Sequence, residues 1–138
     1  MIQALDAGGT ERQLTETAKA LDRSQFEPHV AHFREGGMRI PELRAAGVPL
    51  LHLPIASFRS TDPLRAAAIL RRYVRARGIR LVHTFDTPAT YFGVPAARLC
   101  RVPFVLSSQR ALRSLRGTTS RRILAFTDRL VEDLALKT

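Results

Sequence analysis

Cysteine is nearly missing. Cys100 is the one thiol in 138 residues, so no disulfide can form within the chain, and an oxidising compartment is not implied. No run of apolar residues is long enough to span a bilayer. No opening stretch divides into the basic, apolar and small-residue zones of a secretory leader. These absences make the cytoplasm the expected location. Aromatic residues are only 7% of the chain and do not cluster with the arginines, which argues against a base-stacking platform for single-stranded nucleic acid. Neither a helix-turn-helix nor a zinc-finger pattern is present, so sequence-specific nucleic-acid binding is not expected. There is also no internal repeat, no low-complexity tract and no interdomain linker.

What is there is an ordinary globular composition, with 45% hydrophobic and 25% charged residues. The length suits one domain, residues 1–138. Its charge is less ordinary. Lysine and arginine outnumber the acidic residues 22 to 12, a formal net charge of +10, and nearly all of the positive charge is arginine. Such a field attracts nucleic acid, anionic lipid headgroups or phosphorylated substrates alike. It fits equally a solvated, arginine-rich surface.

Short apolar runs alternate with amphipathic stretches. After an opening apolar piece ending at Leu5, Thr10 to Leu21 reads as a helix. Leu14, Ala18 and Leu21 form its apolar face, and Thr10 and Gln13 have capping-box spacing. A strand is expected over 29–33, a short helix over 41–46 with Pro41 in its first turn, and a strand over 48–53. Gly47 suits a left-handed end to the short helix. Thr61-Asp62-Pro63 starts a helix reaching Arg77, which Gly78 stops. A strand over 81–85, a helix over 87–99 and a strand over 104–107 follow. Gly93 and Pro95 predict a kink or late start in that last helix. A basic segment, 110–122, and a further apolar piece near Leu130 complete the chain. This alternation implies an α/β fold: an open parallel sheet of Rossmann-like type with helices on both faces.

In such sheets ligands bind beyond the carboxyl ends of the strands. Three segments put unusual residues there: Asp6 to Thr10, His83 to Asp86, and Ser107 to Arg110. Gly8 and Gly9 open into a helix, where bare amides and the helix dipole can hold a diphosphate. A tight turn needing positive φ is the other reading of the pair. A third glycine at the offset of a dinucleotide fingerprint is missing. His83 could act as a general base, bond a sugar hydroxyl, or be a buried histidine satisfied by backbone. Asp86 could orient a ligand hydroxyl or begin a turn. Arg110 is a forked cation suited to phosphate or carboxylate, or one exposed arginine among many. His29 and His32, three apart on a strand, point to opposite faces, and His52 has no partner that sequence identifies, so no bound metal is expected. Arg65, Arg71, Arg72, Arg75 and Arg77 lie on or near one helix, which fits a solvated face or an anionic membrane surface.

The order and spacing of these pieces resemble the N-terminal domain of family 4 glycosyltransferases. LDAGGTERQLTETAKALDRSQFEPHVAHFREGG looks like that family's first loop, helix and second strand, with GGTERQL…AKALD the most specific part. LRAAGVPLLHLPI is similar to the next helix–strand unit. IRLVHTFDTPATYFGVPAARLCRVPFVLSSQR resembles the segment running from a Val-His strand through a helix to a strand followed by Ser and Arg. FTDRLVEDLALKT looks like the start of a further unit.

The resemblance implies one half of a GT-B enzyme, two Rossmann-like domains with the active site between them. By that likeness this chain is the acceptor-side domain, for a glycan or lipid-linked acceptor. A C-terminal domain, absent here, would bind the nucleotide-sugar. Catalysis would retain anomeric configuration without a metal or other cofactor. Gly8 and Gly9 would approach the donor diphosphate, His83 would be the catalytic candidate, and Asp86, Ser108 and Arg110 would line the cleft. Phe85 departs from the pattern, since many relatives carry a second histidine there. Relatives also have a longer first strand, so the fold is expected to be truncated at the first strand and at the C-terminal end, with marginal stability and negligible transfer activity alone. Contact with an anionic membrane is compatible with this reading. The competing reading is a non-enzymatic Rossmann-like module that binds anionic ligands or an anionic membrane surface.

Overall fold

The computed structural model describes residues 1–108, so the basic segment and the apolar piece after it lie outside the described residues. Four helices and four strands alternate: α1 (Gly9–Ala20), β1 (Val30–His32), α2 (Ile40–Ala45), β2 (Leu50–His52), α3 (Asp62–Arg77), β3 (Leu81–Thr84), α4 (Thr87–Leu99) and β4 (Phe104–Ser107). β1 pairs in parallel with β2, and β3 in parallel with β4.

The N-terminal residues join these two strand pairs. On one side the Ile2 amide donates to Ala31 O at 3.0 Å, and Phe33 N donates to Gln3 O at 3.0 Å. On the other side the Met1 amine donates to His83 O at 2.6 Å, and Phe85 N donates to Met1 O at 3.0 Å. Residues 1–3 are therefore a rung between β1 and β3. Counted as the first strand, they give the sequence order 3-2-1-4-5, which is the doubly wound arrangement.

Side chains alternate across this sheet, as the two-residue period of a strand requires. Met1, Phe33, Val82 and Val105 pack on one face with Ala66, Leu70 and Val74 of α3 and Ala89, Phe92 and Ala97 of α4. Ile2, Val30 and Phe85 pack on the other with Leu14 and Ala18 of α1 and Leu43 of α2. Helices thus cover both faces, and the chain has the expected Rossmann-like α/β fold. Among the described residues no helix is long and apolar enough to cross a membrane.

Local devices set the helix ends. α2 ends in a Schellman motif: Gly47 N donates to Arg44 O and Val48 N to Leu43 O, with Gly47 at φ 67°. Gly78, at φ 60°, ends α3. Two details differ from the sequence expectation. The N-cap of α1 is Gly8, not Thr10, and no side chain caps it, so Thr10 lies inside the helix and the Thr10–Gln13 capping box does not form. α4 starts at Thr87 and runs unbroken past Gly93 and Pro95, so there is no late start. Gly93 has a packing reason instead. A Cβ there would lie 2.8 Å from both Met1 Sδ and Thr84 Cγ2, so the missing side chain lets α4 sit close on the rung and on β3.

Candidate functional site at the carboxyl edge of the sheet

The chain segments leaving the rung, β3 and β4 meet at one edge. His83 is the third residue of β3, and its Nε2 lies 2.8 Å from Ser108 Oγ, just beyond β4. Ser108 is itself held by its amide, which donates to Thr84 O at 2.8 Å. The His83 ring stacks on Phe85, with centroids 4.2 Å apart. His83 is half-buried and Phe85 is buried. The histidine is therefore fixed by a hydroxyl at one side and an aromatic ring at another.

Asp86 follows β3 and ties the edge together. Its Oδ1 accepts from Ala89 N at 2.7 Å, which caps α4. Its Oδ2 accepts from Gln3 N at 2.7 Å. Both carboxylate oxygens thus hold backbone, one in each of two segments far apart in sequence. Behind this lies a cluster of hydroxyls that sequence reasoning missed. Thr84 Oγ1 and Thr90 Oγ1 lie 2.9 Å apart, and Thr90 Oγ1 and Ser107 Oγ lie 3.1 Å apart. Isolated Ser and Thr carry no sequence signal for such pairing, because it depends on the β3–β4 register.

Gly8, the N-cap of α1, and Gly9, its first residue, follow the rung at the same edge. Gly8 has φ −73°, and neither glycine is among the residues with positive φ. The positive-φ turn that would explain a glycine pair is thus not formed. A Cβ at Gly9 would meet nothing within 4 Å, so its bare backbone borders open space. At Gly8 a Cβ would collide with the Glu11 carboxylate, the flexible end of a half-buried side chain. Gly37 supports this loop from below: at φ 122°, a Cβ on it would lie 2.5 Å from Leu5 O, and Arg39 N donates to that carbonyl at 2.9 Å. Only glycine fits so close an approach at that φ.

The structure brings His83 and Ser108 into direct contact and joins Asp86 to the rung. It shows no bond from Gly8 or Gly9 to these residues, and Arg110 lies outside the described residues. The other histidines are engaged elsewhere. His29 Nδ1 lies 2.8 Å from the Tyr73 hydroxyl and its Nε2 lies 3.2 Å from Glu27 Oε1. His32 stacks on His52 with centroids 5.4 Å apart, which supplies His52 with a partner invisible in the sequence. Burial, with the neighbouring His52 and Arg44 charges, outweighs the Arg34 carbonyl and holds the His32 pKa below the usual histidine value.

In a parallel doubly wound sheet, ligands bind beyond the carboxyl edge, where these glycines, histidine and hydroxyls lie, but layout alone does not fix the chemistry. No curated protein and no solved structure matches the chain. The family model for the glycosyl transferase 4-like domain matches residues 8–136, which takes in the glycine loop, His83, Asp86, Ser108 and Arg110. The chain belongs to the glycosyl transferase 4-like family.

Proposed function

We propose that this chain is the acceptor-side domain of a retaining GT-B glycosyltransferase of polysaccharide or glycolipid synthesis. In this reading a sugar passes from a nucleotide-sugar to a glycan or lipid-linked acceptor in the cytoplasm. The observation that supports it best is the His83–Ser108 contact at 2.8 Å, on the same sheet edge as the bare backbone of Gly9 and inside the matched stretch.

Each residue then has a role. The free amides at the start of α1 take the donor diphosphate, because a helix N-terminus presents unpaired N–H groups and positive dipole. Gly8 and Gly9 let the phosphates reach the backbone. His83, oriented by Ser108, bonds a hydroxyl of the reacting sugars or moves its proton. Asp86 is a positioning residue that locks the rung to α4. Arg110 supplies a forked cation at the cleft. The base and ribose of the nucleotide are held by a second, donor-binding domain, which leaves this chain a millimolar diphosphate contact and negligible turnover on its own. The +10 charge draws anionic acceptors and an anionic inner membrane face toward the cleft.

Amide chemical shifts during titration with UDP and GDP test this reading. The expected shifts fall on Gly8, Gly9, Thr10, His83 and Ser108. No shift at millimolar nucleotide, or shifts confined to other surfaces, would overturn the donor-side assignment and favour the non-enzymatic, anion-binding reading.

A further inference from the structure

The strongest feature outside the candidate site lies in the seam between α3 and α4. A hollow of about 550 Å³ is lined there by Ala67, Ala68 and Ala96, by Leu99 and Cys100, and by Arg71, Arg75 and Arg101. Arg71 and Arg75 are four residues apart, so they share one face of α3. The alanines leave the space, and the arginines rim it. Among the described residues, none of the three arginines forms an ion pair with a carboxylate. All three are exposed, so water screens much of the repulsion expected at this spacing and the guanidinium groups stand open to a ligand.

Arg101 carries a cost of its own. α4 ends in the same motif as α2: Arg101 N donates to Arg98 O at 2.9 Å, and Val102 N donates to Ala97 O at 3.0 Å. The residue at the left-handed position is glycine at the other two such helix ends, Gly47 and Gly78, with φ 67° and 60°. Here it is Arg101 at φ 59°. A side chain at that position strains the backbone. Glycine would serve the turn better, so the guanidinium rather than the turn accounts for this residue. The charges of Arg71 and Arg75 also act on the Cys100 thiol, opposing the burial that raises its pKa.

We propose that this hollow is an anion site for a phosphoryl group, held by the forked guanidinium groups of Arg71, Arg75 and Arg101. Planar guanidinium groups match phosphate oxygens bidentately, and a phosphate would offset the remaining repulsion and the strain at Arg101. The site is separate from the carboxyl edge and does not depend on the transferase reading.

The test titrates inorganic phosphate and pyrophosphate into the chain and follows the Nε resonances of Arg71, Arg75 and Arg101. They are expected to shift together and saturably. Arg101→Gly is the decisive variant, because it removes the charge and relieves the strain at once. Its Tm should rise by roughly 3–8 °C, while phosphate binding weakens about tenfold or more. Arg71→Gln should weaken binding with no rise in Tm, and Arg59→Gln, outside the hollow, should leave binding unchanged. Vesicles of phosphatidylglycerol, compared with phosphatidylcholine, separate the two sources of phosphate. Co-sedimentation that Arg101→Gly abolishes would assign a lipid headgroup, and soluble phosphate binding without co-sedimentation would assign a free phosphate ester. Phosphate binding that survives Arg101→Gly, or arginine resonances that never move, would overturn the proposal.

Discussion

Asp86 and Gln3 are 83 residues apart in sequence, yet the Gln3 amide donates to Asp86 Oδ2 at 2.7 Å. The other carboxylate oxygen caps α4 through Ala89 N, also at 2.7 Å. One side chain therefore fixes both the end of the central rung and the start of the helix that follows β3. Removing it loses a helix cap, worth about 1 kcal/mol, and leaves a part-buried amide unpaired, at about 1–3 kcal/mol. Asp86→Ala is expected to lower unfolding free energy by roughly 2–4 kcal/mol, and Asp86→Asn by less, because asparagine keeps one acceptor. Urea unfolding of the two variants checks this ranking, and stabilities equal to that of the unsubstituted chain would show that these two bonds contribute nothing.

His32 predicts a pH dependence. Burial, with the neighbouring His52 and Arg44 charges, holds its folded pKa below the usual histidine value. Between the folded and the ordinary value the unfolded chain holds a proton that the folded chain has released, so stability rises with pH across this window and is lost as pH falls through it. Urea midpoints should therefore fall on the acid side of the ordinary histidine range, and His32→Gln should flatten that fall. A midpoint that rises as the pH drops through this range would contradict the burial of His32.

Gly93→Ala sets two effects against each other. Alanine favours a helix interior over glycine by up to about 1 kcal/mol. Its Cβ, however, would lie 2.8 Å from Thr84 Cγ2, a side chain with no exposure and bonded to Thr90. Met1 can move aside, but Thr84 cannot, and overpacking of this kind costs about 1–3 kcal/mol. A net loss near 1 kcal/mol is expected. Thermal unfolding tests the sign, and a stabilised variant would mean that α4 rides farther from the sheet.

The order of elements was legible in the sequence because strong local devices mark the boundaries. Pro41, the Asp62-Pro63 pair and the Asp86-Thr87-Pro88 run open helices, while Gly47 and Gly78 close them in the left-handed conformation. The capping box at Thr10 misled because α1 starts two residues earlier than that spacing requires, with Gly8 rather than Thr10 as its N-cap. Gly93 misled because a glycine kept for close packing looks, in sequence, like one kept for flexibility. Of the candidate site, the shared edge was legible from strand alternation. The His83–Ser108 contact and the Asp86–Gln3 bond were not, since both depend on tertiary register. Arg101 is the extreme case: its residue type points away from the left-handed conformation it adopts.

The central claim is transferase chemistry that depends on His83. The most direct measurement is nucleotide release from a panel of UDP-, GDP-, ADP- and dTDP-sugars, with glycan and lipid extracts of the host as acceptors. It compares the chain together with the donor-binding domain that the reading requires with the same pair carrying His83→Ala. The account predicts release from at least one donor, reduced by about 10²-fold or more in the variant. Equal release by the two proteins would remove His83 from the chemistry, and no release from any donor would contradict the transferase reading itself.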